Sequence, residues 1–165
     1  MVIKDASIII DLLKLKLLPK IFKLPYKFYT TDFILNEIIQ QDQRMLIDAF
    51  IEMGSISIIE SNTEALERIS GIFNKIKKLS FADSSVIFYA SEMDAIIFTS
   101  DNRMRKEAQN RKIEVHGILW IFKKMIKNKL ISKSIAYQKL SKLIKQNMYL
   151  PKAECEKCLK EWGGK

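Results

Sequence analysis

The chain has few of the residues that interrupt regular structure: its 165 residues include only five glycines and three prolines. Hydrophobic residues make up 48% of it, which excludes a disordered or low-complexity protein. No apolar run reaches the roughly 18 residues that a membrane-spanning helix needs. The first apolar segment contains Lys4, Asp5 and Asp11 and has no small-residue cleavage site, so we exclude a signal peptide and predict a cytoplasmic protein.

Cysteine and histidine are also scarce. Cys155 and Cys158 are the only cysteines, and they have the Cys-x-x-Cys spacing of many zinc sites. A structural zinc ion needs about four ligands, however, and the only histidine, His116, is far away in the sequence. We therefore expect free thiols in a reducing compartment, and a zinc site shared between two chains stays open. A glycine-rich phosphate-binding loop is absent as well.

Charge is distributed unevenly along the chain. Residues 1–101 carry 14 acidic and 11 basic side chains, whereas residues 102–165 carry 5 acidic and 17 basic ones. Acidic side chains can hold metal ions and basic ones can hold phosphates, so this asymmetry is typical of a metal-dependent enzyme that acts on a polyanion. A lysine-rich solvated surface is an equally good interpretation of the charge alone.

Short apolar segments alternate with segments of helical periodicity. The predicted strands are 2–4, 26–30, 56–59, 95–99 and 113–116, and the predicted helices are 8–18, 33–40, 43–52, 63–78, 81–92, 103–110, 117–127 and 132–147. This alternation predicts an α/β domain over residues 1–150, with three layers (α/β/α) and a central parallel sheet of about four to five strands. Residues 151–165 are polar and are predicted to be a loosely held tail.

Four acidic residues are predicted to meet at one edge of this sheet. Asp5 and Asp101 directly follow strands, so both lie at the carboxyl edge, where open α/β sheets bind ligands. Glu37 and Asp83 are predicted to lie in the first turns of helices that begin at the same edge. Each acid alone has an ordinary explanation as a helix-terminal charge or a turn residue. Clustered carboxylates repel one another unless they hold a cation, and oxygen ligands favour Mg²⁺ or Mn²⁺.

Four segments around these acids resemble the acidic motifs of PIN-domain ribonucleases, the family of the VapC-like toxins. The segments are 5–10 (DASIII), 31–38 (TDFILNEI), 79–83 (LSFAD) and 98–105 (FTSDNRMR). The resemblance covers about residues 2–128, with the motifs in the family's order. It includes residues 117–124 (GILWIFKK), which are similar to a glycine-led helix of one PIN subgroup.

The resemblance implies a Mg²⁺- or Mn²⁺-dependent endoribonuclease, often the toxin of a toxin–antitoxin pair and often a homodimer. It implies that four carboxylates bind the metal and are catalytic: Asp5, Glu37, Asp83 and Asp101. It also implies that Thr99 and Ser100 orient these carboxylates without binding the metal themselves. Many relatives carry a further acid or Asn at the position of Ser100, so the number of metal ions stays open.

Basic and aromatic residues near the acids are candidates for RNA contact. The basic candidates are Arg103, Arg105, Lys106, Lys123 and Lys124. The aromatic candidates for core, dimer surface or base stacking are Trp120, Phe122, Tyr149 and Trp162, with the core favoured for Trp120. The main alternative to a nuclease is a non-catalytic PIN-like module that binds RNA or a protein partner.

Overall fold

A computed structural model describes residues 1–148 and 150–163, so Tyr149 and the last two residues of the predicted tail lie outside the described residues. The strands are β1 (Val2–Lys4), β2 (Phe28–Thr31), β3 (Ser57–Ile59), β4 (Ile96–Phe98) and β5 (Val115–His116). The helices are α1 (Ala6–Lys14), α2 (Leu18–Ile21), α3 (Asp32–Asn36), α4 (Gln41–Glu52), α5 (Thr63–Lys75), α6 (Phe81–Glu92), α7 (Asn102–Asn110), α8 (Ile118–Lys127), α9 (Lys133–Gln146) and α10 (Lys152–Gly163).

All five strands are parallel and form one sheet in the order β3-β2-β1-β4-β5. The predicted α/β fold with a parallel central sheet is therefore confirmed. The chain builds the sheet outward from β1 to β3 and then crosses to the other side of β1 to form β4 and β5. Strand order thus reverses between β1 and β4, and a reversal of this kind opens a crevice at the carboxyl ends of the two strands.

Several helices begin at this carboxyl edge with a side chain that caps them. Asp5 caps α1, Thr31 caps α3, Ser80 caps α6 and Asp101 caps α7. In each case a side-chain oxygen accepts a hydrogen bond from a backbone N–H group of the first turn, which has no partner within the helix.

Two helical predictions differ from the structure. The first helix ends at Lys14, and Lys16 adopts a positive φ of 56° before the short helix α2 begins. Pro19 lies in the first turn of α2, where its missing N–H is tolerated, rather than ending a longer helix. The helix near Glu37 is also shorter than predicted, so that Glu37 lies at the C-terminal end of α3 instead of in an opening turn.

The segment predicted as a loosely held tail is mostly the helix α10, which packs against α9. Its buried face consists of Cys155, Cys158 and Trp162, which join the main hydrophobic core. The two cysteines are free thiols. Within the described residues, no helix is both long and apolar enough to cross a membrane.

The core contains a buried lysine that has no counter-charge within the described residues. Lys4 is fully buried, and its Nζ has no hydrogen-bond partner within the described part of the chain. The ammonium lies over the rings of Phe22 (3.9 Å) and Phe28 (4.3 Å). Burial lowers the pKa of Lys4 well below its usual value of 10.5. The desolvation cost of several kcal/mol exceeds the roughly 1–2 kcal/mol that each cation–π contact offers.

We expect Lys4→Met to raise the free energy of unfolding by about 1–3 kcal/mol at pH 7, because methionine fills similar space without a charge. The native pKa of Lys4 lies below the unfolded one, so the wild type gains stability as the pH rises toward 10.5. The advantage of the variant should therefore shrink between pH 7 and pH 9.5. Urea unfolding of both proteins at pH 7 and pH 9.5 measures this difference in stability.

The exposed lysine Lys23 provides the control, because Lys23→Met should change stability by less than about 0.5 kcal/mol at either pH. A Lys4→Met protein that is less stable than the wild type at pH 7 would contradict this account of the buried lysine.

Candidate active site

The crevice between β1 and β4 brings the predicted acids to one edge of the sheet. Lys4 of β1 pairs with Phe98 of β4, and the backbone N–H of Asp5 donates to the carbonyl of Phe98 (3.1 Å). The residues that follow the two strands are therefore neighbours. Asp5 follows β1 directly, and Asp101 follows β4 after Thr99 and Ser100.

Asp5 is the most buried of the four acids, with 4% of its surface exposed. Its carboxylate accepts hydrogen bonds from the Ser7 hydroxyl (2.9 Å), the Ser7 backbone N–H and the Thr99 hydroxyl. Burial raises the pKa of Asp5 to about 6, and the nearby charge of Asp83 also raises it. The hydrogen bonds from Thr99 and Ser7 oppose this shift without cancelling it.

Thr99 joins Asp5 to Asp101. Its buried hydroxyl donates to Oδ2 of Asp5 and accepts from the backbone N–H of Asp101 (2.9 Å). On the other side, the backbone N–H of Ser100 donates to the Ser7 hydroxyl (3.2 Å). The loop after β4 is thus held against the start of α1 by a chain of hydrogen bonds that passes through the carboxylate of Asp5.

Asp83 lies in the first turn of α6, where it forms a reciprocal cap with Ser80. Its backbone N–H donates to the Ser80 hydroxyl (2.9 Å), and its Oδ2 accepts from the Ser80 backbone N–H (3.0 Å). Burial raises the pKa of Asp83, and the charge of Asp101 adds to the rise. The hydrogen bonds with Ser80 and the charge of Arg103 act in the opposite direction.

Glu37 is mostly exposed at the end of α3 and faces the start of α6. Its Oε1 accepts a hydrogen bond from the hydroxyl of Ser80 (3.3 Å). Partial burial of the carboxyl raises the pKa of Glu37, with a further contribution from the charge of Asp83. Ser80 therefore contacts two of the predicted acids, and it keeps Glu37 beside Asp83.

Asp101 is a half-buried cap whose Oδ1 accepts from the backbone N–H groups of Arg103 (2.6 Å) and Met104 (2.9 Å). The four acids influence one another electrostatically through Asp83, which interacts with each of the other three. Asp83 is thus the centre of the acidic group.

As the side chains stand, no three His, Cys, Asp or Glu residues of the described chain are close enough together to surround a metal ion. The donors at the crevice nevertheless suit a hard cation, because all four are carboxylates and Mg²⁺ and Mn²⁺ prefer oxygen ligands. The raised pKa values of Asp5, Glu37 and Asp83 also fit, since a bound cation would favour the ionised forms. To bind an ion, the carboxylates would have to lie closer together than they do here.

The predicted RNA-binding residues occupy different positions. Arg103 is exposed beside the acids and donates to the carbonyl of Lys78 (3.4 Å). Arg105 is half-buried and donates to the carbonyl of Thr99 (3.3 Å). Lys106 is exposed on α7, while α8 carries the other two: Lys123 is exposed, and Lys124 has its Nζ 4.7 Å from the centre of the Trp120 ring.

Aromatic residues near these positions are only partly in the core. Phe122 and Trp162 are buried, as expected for core residues, and their rings contact each other. Trp120 is half-buried, and its ring stacks on that of His116 with the centroids 3.9 Å apart and the planes 8° apart. Trp120 therefore packs against the core without being enclosed by it.

Three residues at the crevice were not among those predicted from the sequence: Ser7, Ser80 and Asn147. Ser80 had a recognisable signal, because a serine three residues before an acid at the start of a helix is a capping box. Ser7 follows Asp5 by two residues, a spacing that suits a local side-chain turn. Asn147 had no local signal, since it reaches the buried Asp11 (3.1 Å) from the far end of α9. A cavity of about 420 Å³ lies among Ser7, Asn147 and the loop 100–103.

Comparison with known proteins supports the resemblance. The PIN-domain family model matches residues 1–164. Over 102 residues, the chain is 30% identical to Endoribonuclease Nob1 of Pyrococcus abyssi, a stretch that covers 60% of this chain and 63% of the relative. Over 91 residues, it is 29% identical to Endoribonuclease Nob1 of Methanocaldococcus jannaschii, covering 54% and 45%. The chain thus matches less than two thirds of the length of either relative.

The fold is similar to that in the crystal structure of PAE2754 from Pyrobaculum aerophilum, with a TM-score of 0.55. That likeness covers 74% of this chain and 95% of the other, at 14% sequence identity, and it concerns the fold alone. The parallel sheet, the acids at its carboxyl edge and the match of the family model along nearly the whole sequence agree with one another. The chain belongs to the PIN-domain family.

Proposed function

We propose that this protein is a metal-dependent endoribonuclease that hydrolyses phosphodiester bonds of RNA at the crevice between β1 and β4. The observation that carries the proposal is the group of four carboxylates that interact through Asp83 at the point where strand order reverses. The relatives named as endoribonucleases support the choice of RNA as the substrate.

In this proposal, Asp5, Glu37, Asp83 and Asp101 hold Mg²⁺ or Mn²⁺. An ion held there would lower the pKa of a water molecule and would neutralise charge at the cleaved phosphate. Thr99 fixes the orientation of Asp5 by its hydrogen bond and so acts as a positioning residue. The uneven charge complements this group, because the basic part of the chain contains the candidates for RNA contact: Arg103, Arg105, Lys106, Lys123 and Lys124.

The family resemblance also supports a biological setting. We propose that the protein is the toxin of a toxin–antitoxin pair, acts in the cytoplasm and forms a homodimer. A small DNA-binding protein encoded beside it, and a complex of the two on co-expression, are the expected findings. Size-exclusion chromatography with light scattering tests the dimer separately.

Two observations favour a different function, a PIN-like module that binds RNA or protein without cleaving it. In the described residues the acids are not gathered closely enough for three of them to surround an ion. Asp5 and Asp101 are also engaged as helix caps, which is a structural role that does not need a metal. The two functions differ in whether a divalent ion binds, and this difference can be measured directly.

We expect cleavage of single-stranded RNA to require Mg²⁺ or Mn²⁺ and to stop when EDTA removes the ion. Asp83→Asn and Asp101→Asn should each lower the rate by about 100-fold or more, because each change removes a charged ligand. The measurement is the initial rate on a labelled oligonucleotide. Asp94→Asn is the matched control, since Asp94 is exposed at the opposite end of β4. This variant should cleave RNA at the wild-type rate. Cleavage that persists in an Asp5→Ala, Asp101→Ala double variant would refute the assignment of these acids as the metal-binding catalytic group.

We expect Mn²⁺ at about 100 times its dissociation constant to stabilise the wild type by about 2.7 kcal/mol, a rise in Tm of roughly 5–10 °C. The Tm of Asp83→Asn should not change, because the central carboxylate of the group has been lost. Scanning fluorimetry with and without Mn²⁺ measures both. A wild type whose Tm is indifferent to Mn²⁺ would support the non-catalytic module instead.

We expect Asp5→Asn to stabilise the metal-free protein at pH 8. The pKa of Asp5 is about 6 in the fold and near 3.8 when unfolded, so stability is lost as the pH rises through this window. A difference of about two pKa units corresponds to about 3 kcal/mol of stability lost at pH 8. The Asp5→Asn variant should regain about 1–3 kcal/mol of this free energy of unfolding, because its side chain carries no charge. At pH 4 the gain should vanish, because Asp5 is then protonated.

Urea unfolding in EDTA at the two pH values measures this difference. The exposed Glu67 gives the control, since Glu67→Gln should leave the free energy of unfolding nearly unchanged at both. An equal effect of Asp5→Asn at pH 4 and pH 8 would mean that the buried charge is not its cause.

A further inference from the structure

A second cavity, of about 480 Å³, lies between α8 and α10, next to the acidic crevice. We call it the α8–α10 cavity. Ser100 and Asn102 border both this cavity and the one beside Asp101, so the two spaces adjoin at the loop after β4. A strand of RNA whose phosphate lies at the acids would therefore pass its mouth. The helix α10, which the sequence did not predict, forms one wall.

Two polar atoms at this junction have no hydrogen-bond partner in the described part of the chain: the hydroxyl of Ser100 and Nε of Arg105. Both residues line the α8–α10 cavity. A buried polar group without a partner costs about 1–3 kcal/mol, and so it calls for an explanation. One atom can donate and accept while the other only donates, so together they suit a ligand that offers both kinds of group.

Gly117 lets the Arg105 side chain approach this junction. A Cβ atom at Gly117 would lie 2.5 Å from Nη2 of Arg105, so any other residue would displace the guanidinium. The same Nη2 donates to the carbonyl of Thr99 (3.3 Å), which ties Arg105 to the strand that leads to the acids. The guanidinium is thus held at this junction by one hydrogen bond, and Gly117 leaves the space that it occupies.

The composition of the cavity favours a nucleobase over a phosphate. Its walls are largely apolar or aromatic and include the stacked pair of His116 and Trp120. Its charged lining is mixed, because three basic residues (Arg105, Lys123 and Lys157) accompany two acidic ones (Glu154 and Glu161). A site built for a phosphate would carry basic groups without carboxylates, which repel it. A base has N–H donors that carboxylates accept and ring acceptors for basic groups. The volume is within the usual range of about 300–1,000 Å³ for ligand sites.

We propose that the α8–α10 cavity receives one nucleobase of single-stranded RNA beside the cleaved phosphodiester, and that this makes cleavage base-selective. The proposal rests on the proposed ribonuclease function. Ser100 and Arg105 contact the edge of the base, and Glu154 and Lys157 select among bases at the mouth. A base in a duplex is stacked and paired, so only unpaired RNA can present it.

The first test is the binding of the four 5′-mononucleotides to the metal-free protein, measured by calorimetry. We expect one or two of them to bind clearly better than the others. Ser100→Ala should weaken that binding about 3–10-fold, the effect of one lost hydrogen bond. It should leave the Tm of the free protein unchanged or raised, because the hydroxyl has no partner there. The exposed Ser91→Ala serves as control.

The second test maps the cleavage sites of the metal-loaded protein in a random single-stranded RNA library. The wild type should prefer one base at a fixed position next to the cut, and Glu154→Gln and Lys157→Gln should each alter the preference. Their matched controls are Glu156→Gln and Lys160→Gln, exposed positions of the same helix that do not line the cavity. The controls should keep the wild-type pattern.

The outcomes separate this inference from the nuclease itself. Cleavage without base preference, together with no mononucleotide binding, would overturn the proposal that the α8–α10 cavity binds a base. The proposed nuclease function would remain. Selective mononucleotide binding that Ser100→Ala weakens, with no cleavage under any metal, would support the cavity while the nuclease fails. Mononucleotide binding together with unselective cleavage would overturn the role in RNA, because the cavity would then take free nucleotides only.

Discussion

The parallel pairing of β1 with β4 is the constraint on which the rest of this structure depends. Strand order reverses there, so the residues after these two strands share one crevice. The hydroxyl of Thr99 then holds the two chain segments together, since it donates to the carboxylate of Asp5 and accepts from the backbone of Asp101. Replacing that hydroxyl would leave a buried carboxylate short of a partner.

The acids serve the fold and the proposed chemistry at once. Asp5, Asp83 and Asp101 satisfy N–H groups at the starts of helices, which places their charges at the same edge of the sheet. Burial and mutual repulsion disfavour the ionised forms, as the raised pKa values of Asp5 and Asp83 indicate. Under the proposed function, a cation that binds these acids would stabilise the fold, so that binding and folding would be coupled.

Sequence patterns predicted the strands, their parallel arrangement and the edge where the acids lie, because these follow from hydrophobic periodicity and from the rule for strand ends. They did not predict elements whose hydrophobic period is interrupted by charged residues. The helix α10 has only three buried residues, Cys155, Cys158 and Trp162, at positions i, i+3 and i+7 of a charged segment. The polar composition of residues 151–165 indicated a loosely held tail more strongly than the spacing of these three residues indicated a helix. The end of α3 at Glu37 was also missed, since helix boundaries depend on tertiary packing.

By itself, the sequence determined which residues could be ligands, caps and core, and in what order the elements follow. Tertiary structure alone decided the contacts between distant segments that no local pattern signals. It brought Ser80 to both Glu37 and Asp83, carried Asn147 to Asp11 across 136 residues, and closed the α8–α10 cavity beside the acids. The physical reason is that local periodicity reports which face of an element is buried, whereas contacts between distant elements depend on how those faces pack.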